Sequence, residues 1–278
     1  MEINFIAIYD GSADANFLFA SDSIKDCLGW SPEELLGQPG YILTHPEERE
    51  ALALIHSNNV KDERMSSIVS YRARHKDGHY VMIDNVIHFC YNLLISTNFT
   101  LLSNDSIKHF MRTNSADESY LIHPDGALRL TDNRSSSQSN IKHLLSKAYP
   151  WNVNANLTNM QEPRFCLVLN RYSVHANIVF ASSMCEEMVG MNQIYCIGDS
   201  IYQYVAEKDV DIVRHKIEIT KTKGVISKLR FNWSRKKKKT TNDNEETLLN
   251  IEAVISCTHD GLVLVARLIA PPKTIRID

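Results

Sequence analysis

The chain has 278 residues, 44% of them apolar, and its 30 Lys and Arg against 33 Asp and Glu leave a net charge of −3. That length suits two domains of roughly 100–130 residues each, and the near-neutral balance lacks the cationic footprint of a nucleic-acid binder. No run of 18 apolar residues and no charged-then-apolar leader occurs, so a soluble, intracellular protein, nuclear or cytoplasmic, is expected.

In chain order, Ile3–Tyr9 reads as a strand ended by the turn pair Asp10-Gly11. Phe17, Leu18 and Phe19 make a second short strand, and Ile24, Cys27 and Leu28 then recur at helical spacing up to Gly29. Ser31-Pro32-Glu33-Glu34 opens another helix, with Ser31 as N-cap, Pro32 at the first helical position and Glu34 closing a capping box; Gly37 is placed to end it in a left-handed turn. His45-Pro46-Glu47-Glu48 puts proline and acids in the first turn of a third helix, whose Leu52 and Ile55 share a face. Residues 64–74 and 79–90 are strand-like, joined by Lys76-Asp77-Gly78 as a hairpin turn, and residues 92–102 supply a last strand. In the second of these Val81, Ile83, Ile87 and Phe89 alternate onto one face.

Residues 103–160 are dense in Ser, Asn and Asp and read as a linker, with a helix near Asn140–Tyr149 and a small hairpin around His123-Pro124-Asp125-Gly126. After it the pattern returns. Asn177-Ile178-Val179-Phe180-Ala181-Ser182 matches Asn16–Ser21, Val189-Gly190 matches Leu28-Gly29, and Ile251–Ile255 matches Ile83–Ile87. Arg164–Asn170 is the opening strand, Glu207–Ile219 carries Val210, Val213 and Ile217 on one helical face, and Thr258-His259-Asp260-Gly261 is the last turn. The order strand, strand, helices, three strands thus occurs twice. The expected fold is α+β: two domains, each a five-stranded antiparallel sheet with short helices on one face, over 1–110 and 161–273 with a partly helical linker over 111–160.

The ordered set Gly29-Trp30-Ser31 to Gly37 followed by His45–Glu48 resembles the PAS domain, a sensor and interaction module. The resemblance covers about 30 residues of the first copy, and the second copy lacks the S-P-E-E box and the His-Pro pair. The tandem layout is similar to that of eukaryotic regulators such as White Collar and the basic helix-loop-helix PAS factors. In the flavin-binding LOV subclass a cysteine follows the second glycine of the helix motif. Here the sequence runs Gly37-Gln38-Pro39-Gly40, with glycine at the cysteine's place, and Ser70 stands where a flavin-holding asparagine is expected. Flavin photochemistry is therefore argued against. Haem, which some PAS domains hold through one histidine, would have to use His45 or His56; a His-Pro turn and a solvated helix position are the plainer readings. No cofactor is expected.

Neither G-x-G-x-x-G nor a P-loop lysine occurs, and no nucleophile–base set has convincing context, so no enzyme is expected. The six cysteines include no C-x-x-C pair and sit mostly in apolar runs, which suits buried thiols and argues against zinc; no metal site is expected. Arg235–Lys239 is a basic run, read as a solvated hairpin tip or an import signal. Phe19, Cys27, Leu28, Tyr41, Ile55 and Met82 are candidates to line a ligand pocket between helices and sheet, and serve equally as plain core. Several strands are apolar on both faces, as in Phe165–Leu169, Leu262–Ala266 and Phe5–Tyr9. Phe5, Ile8, Phe165, Val168, Leu262 and Leu264 are accordingly interface candidates. The expected role is a tandem PAS regulatory module that associates with itself or another PAS protein, with small-molecule sensing as the alternative.

Overall fold

In the computed structural model, which describes residues 2–62, 64–101, 106–130, 162–235 and 247–269, the first apolar run forms β1 (Asn4–Asp10), antiparallel to β2 (Phe17–Ala20). Gly29, in the left-handed conformation at φ 75°, ends α1 (Ile24–Leu28), a role glycine fills without the Cβ clash of other residues. In α2 (Pro32–Leu35) the expected capping box is present, with the Glu34 carboxylate accepting from the Ser31 N–H at 3.0 Å. Two 3-10 turns, Gly40–Leu43 and Pro46–Glu48, lead into α3 (Arg49–Asp62). The strands β3 (Ser67–Arg74), β4 (Tyr80–Cys90) and β5 (Leu93–Thr100) complete the meander.

The stretch read as the start of a linker carries structure of its own. It contains α4 (Ser106–Ser115) and the hairpin β6 (Glu118–Ile122) and β7 (Leu128–Leu130), whose turn spans His123–Gly126. β6 adds to the sheet parallel to β3, so the first sheet has seven strands in the order β2-β1-β5-β4-β3-β6-β7. The helix expected near Asn140–Tyr149 and the lysines 236–239 of the basic run lie outside the described residues.

The second sheet holds β8 (Arg164–Leu169), β9 (Ile178–Ala181), β10 (Ser227–Arg235), β11 (Thr247–Cys257) and β12 (Leu262–Leu268), in the order β10-β11-β12-β8-β9. Its helices are α5 (Met184–Val189) and α6 (Val210–Lys223). This is the order of β3-β4-β5-β1-β2, and the repeat extends to detail. Each sheet has a bulge at the same step, Ile8/Tyr9 and Val168/Leu169. Each places an alanine at positive φ before its second strand, Ala15 at 48° and Ala176 at 45°. Ser21 and Ser182 each accept with Oγ from the opening strand, from the Ile6 N–H at 2.8 Å and the Cys166 N–H at 2.9 Å.

The chain divides into two compact units, the first taking Met1–Glu162 with the short segments Lys223–Val225 and Thr258–Asp260, the second the remainder. Each has its own core between helices and inner sheet face: Phe17, Ile24, Leu28, Ile55 and Ile83 in the first, Phe165, Ile178, Val213, Ile217 and Trp233 in the second. Burying a side chain of this size is worth about 1.5–3 kcal/mol. All six cysteines are buried and none forms a disulfide. Among the described residues no helix is long and apolar enough to cross a membrane. The architecture is α+β, two PAS-like units.

Candidate functional site

In the first unit the inner face of the sheet takes alternate residues of β1, β4 and β5. Most are apolar, but Tyr9, Asn85, Ser96, Asn98 and Thr100 interrupt the pattern, and the first three with Tyr71 of β3 wall a cavity of about 50 Å³. The 3-10 turn contributes Gly40 and Tyr41, and α3 contributes Leu52 and His56. Tyr41 Oη and His56 Nδ1 lie 2.9 Å apart, both half-buried. Burial pushes the Tyr71 hydroxyl up to about 12 and raises that of Tyr9 still further. Burial also holds His56 below the usual imidazole range, so its ring is neutral at pH 7. Asn85 Oδ1 is buried without a hydrogen-bond partner. An unmet acceptor on a cavity wall costs free energy that a bound donor would restore.

The size limits the occupant. At roughly 10–15 Å³ per water the cavity holds a few waters, and it is well short of the ~150 Å³ that admits benzene. A larger guest requires Tyr41 or His56 to swing aside.

The same place in the second unit is lined by apolar side chains. The strand registers put Leu169 at the position of Tyr9, Phe231 at that of Tyr71, Ala253 at that of Asn85 and Leu264 at that of Ser96. The matched 3-10 turns and helices put Ile201 and Ile217 at the positions of Gly40 and His56. These six residues belong to the second core, each at most 5% exposed.

Of the pocket candidates, Tyr41 lines the cavity. Cys27, Leu28 and Ile55 are core residues; burial pushes the Cys27 thiol up to about 12, which keeps it protonated. Phe19 is 45% exposed on β2, and Met82 lies on the outer face of β4 opposite Arg72. His45 turns inward to its own loop, its Nδ1 accepting from the Glu47 N–H at 3.3 Å. The cavity residues that sequence reasoning missed, Tyr9, Asn85 and Ser96, were signalled by polar side chains at inward strand positions.

Of the interface candidates, Phe5, Phe165, Leu262 and Leu264 fill their own units' cores, while Ile8 and Val168 occupy equivalent places on the outer sheet faces. Both are under 9% exposed. On the outer face of the first sheet α4 packs through charge. Arg112, 1% exposed, pairs with Glu2 at 2.6 Å and Asp84 at 3.4 Å, and its guanidinium sits 4.1 Å from the centre of the Phe99 ring. His109 Nδ1 meets Asp84 at 2.7 Å, and this bond raises the His109 pKa. The opposite side of the helix exposes Ile107 at 73% and Phe110 at 65%. A cavity of about 240 Å³ beside it is lined by Phe110, Thr113, Tyr120 and Leu121 among others.

Comparison with known proteins gives the following. Residues 17–92 match the sequence family described as PAS fold. The N-terminal domain of a diguanylate cyclase with PAS/PAC sensor from Marinobacter aquaeolei is 23% identical, with a TM-score of 0.31, over 35% of this chain and 94% of that one. The PAS domain of the Cronobacter turicensis RpfR quorum-sensing receptor, in complex with BDSF, is 18% identical, with a TM-score of 0.32, over 36% and 95%. Drosophila melanogaster Cycle PAS-B with bound ethylene glycol is 25% identical, with a TM-score of 0.32, over 35% and 99%. No curated protein matches the chain.

Proposed function

We propose that the chain is a non-enzymatic tandem PAS regulatory module, of the kind found in eukaryotic transcription and signalling regulators such as White Collar, that associates with a protein partner through the α4 face of its first unit. The observation that carries this reading is the inverted amphipathicity of α4. A surface helix normally turns its apolar stripe to the core. Here the inward positions hold Arg112 and His109, and the outward positions hold Ile107 and Phe110, three apart on one face. Leaving both wet forgoes about 1.5–3 kcal/mol each, and exposed apolar patches mark interaction sites.

A second copy of the chain is the simplest partner, a related PAS protein the next. Light scattering of the full chain across a concentration series tests it. Association is expected, and Ile107→Asp with Phe110→Asp is expected to weaken it without lowering Tm, because neither side chain is in the core. A strictly monomeric protein at high concentration, or an unchanged dimer in the double variant, counts against it.

The cavity favours a second reading, a sensor for a small, largely apolar ligand that donates one hydrogen bond to Asn85 Oδ1. Ligand binding to the folded state raises Tm. A thermal-shift screen is expected to find such compounds, and Asn85→Leu, which fills the cavity, is expected to abolish the shift. Shifts of equal size in that variant sink the reading.

A further inference from the structure

The β3–β4 hairpin turns on His75-Lys76-Asp77-Gly78-His79, and its tip gathers three donor atoms. Asp77 Oδ1 lies 2.8 Å from His75 Nδ1 and 2.5 Å from His79 Nδ1. The three ligand atoms all lie within 4.8 Å of one another. The two imidazole rings stack at 4.4 Å with 19° between their planes. We propose that His75, Asp77 and His79 form a binding site for one divalent transition-metal ion of the zinc class.

Asp77 Oδ1 sits between the two rings and faces both Nδ1 atoms at once, so the three donor atoms already converge on one point. An Nδ1–H on either ring donates to that oxygen when no ion is bound. A metal ion displaces such protons and takes all three atoms as ligands.

The donor set matches the metal class. Two imidazoles and a carboxylate are the ligand types of open zinc sites, with solvent in the fourth position. Side-chain exposures of 24%, 62% and 57% leave that position open. Tetrahedral donors at Zn–N and Zn–O lengths near 2.1 Å sit roughly 3.3 Å apart. The present separations therefore widen by about 0.5–0.8 Å on binding, a movement that exposed side chains on a turn accommodate.

The turn is held by its own backbone bonds. His75 N–H donates to the His79 carbonyl at 2.8 Å and Gly78 N–H to the His75 carbonyl at 3.0 Å. Gly78 stands at φ 103°, which favours glycine. The His75 ring packs against Gly29, where a Cβ would lie 2.8 Å from Cε1. Lys76 anchors the tip to α2 through Glu34 at 2.6 Å, so its ammonium is drawn away from the site.

The test is a zinc chloride titration of the full chain, stripped with chelator, at pH 7.5, followed by calorimetry and by the imidazole nitrogen resonances. One ion per chain is expected, with the Nδ1 resonances of His75 and His79 shifting together and saturating. Loss of outer-shell partners alone costs a metal site 10–100-fold in affinity, so His79→Ala and Asp77→Asn are each expected to cost at least about tenfold. His215→Ala, on the exposed side of α6, is expected to stay within about twofold. The metal-free Tm of His79→Ala shows that the variant folds; Asp77→Asn, which keeps the side chain's size, decides the matter if it does not. Binding as tight in both variants as in the parent, or zinc shifting other histidines while those of His75 and His79 stand still, overturns the site.

Discussion

Glu47 and Glu48 are adjacent acids in one 3-10 turn, yet their environments are opposite. Glu47 is 60% exposed, whereas Glu48 is 1% exposed and accepts from the Arg72 N–H at 2.7 Å and from Arg72 Nε at 2.6 Å. Glu48 thus ties the entry of α3 to β3. Its removal leaves the Arg72 N–H and Nε–H without their acceptor, while the guanidinium keeps Glu47 and the Pro124 carbonyl; Glu48→Ala is expected to cost about 1–3 kcal/mol in urea unfolding, against less than about 0.5 for Glu47→Ala. Sequence reading assigned both acids to the helix dipole, because the partner that separates them arrives from another strand. His88 makes a pH prediction at the same scale. It is fully buried on β4, and burial lowers its pKa to about 4 from 6.5. Between those values the unfolded chain binds a proton that the folded chain refuses, so stability falls as pH falls through that window. Two and a half units amount to about 3 kcal/mol at the acid end. His109 acts with the opposite sign: its raised pKa adds stability below pH 6.5 that is lost as pH rises through the folded value, and its exposure keeps the effect small. Unfolding free energies at pH 7 and pH 5 are expected to differ less in His88→Gln than in the parent.

At the scale of elements, the hairpin around His123–Gly126 was legible from its turn residues, whereas α4 (Ser106–Ser115) was not. Ile107, Phe110 and Met111 keep the helical spacing, but the Ser, Asn and Asp around them read as linker and their stripe faces away from the sheet. What holds the helix is the Arg112, Glu2 and Asp84 group, made by residues far apart in sequence. The other helices were legible because Ile24, Leu28, Leu52 and Ile55, and in the repeat Val213 and Ile217, keep the helical period and fill the cores. The hairpin register was legible too: Asp77-Gly78 fixes the β3–β4 turn, and Ile83, Ile87 and Phe89 face inward as their alternation requires. The outer faces were the opaque part. Ile8 and Val168 read as apolar excess, but they are buried, so an aspartate at either position would act on folding before any interface. The Arg112 group makes its own prediction. Arg112→Ala removes the buried cation that Glu2 and Asp84 share, leaving them His109, Ser70 and Lys108, and is expected to cost about 3 kcal/mol. Arg112→Met restores volume but not charge and is expected to recover little of it. A methionine variant as stable as the parent in urea would mean that packing on Phe99, not ion pairing, holds the helix.

At the scale of the molecule, two units with one sheet order have diverged inside. The second has an apolar, aromatic interior, with Trp233 stacked on Tyr204 at 5.4 Å and edge-on to Phe165 at 5.6 Å. The first keeps a cavity, an unmet Asn85 acceptor and the buried His88. The repeat itself was visible in Asn16–Ser21 and Asn177–Ser182. The divergence was visible only once register placed Ala253 against Asn85 and Leu264 against Ser96, because it lies in substitutions at matched positions rather than in any motif. The unequal interiors predict unequal unfolding. Separate cores need not melt together, and acid acts on the unit that holds His88. With Trp30→Phe and Trp151→Phe, the remaining Trp233 reports on the second unit by fluorescence while far-UV circular dichroism follows both. From pH 7.5 to pH 5 the dichroism is expected to split, an early transition moving to lower temperature while the Trp233 transition holds its midpoint. Coincident transitions at every pH would show one cooperative body, and the separate acid sensitivity of the unit that holds His88 would lose its physical basis.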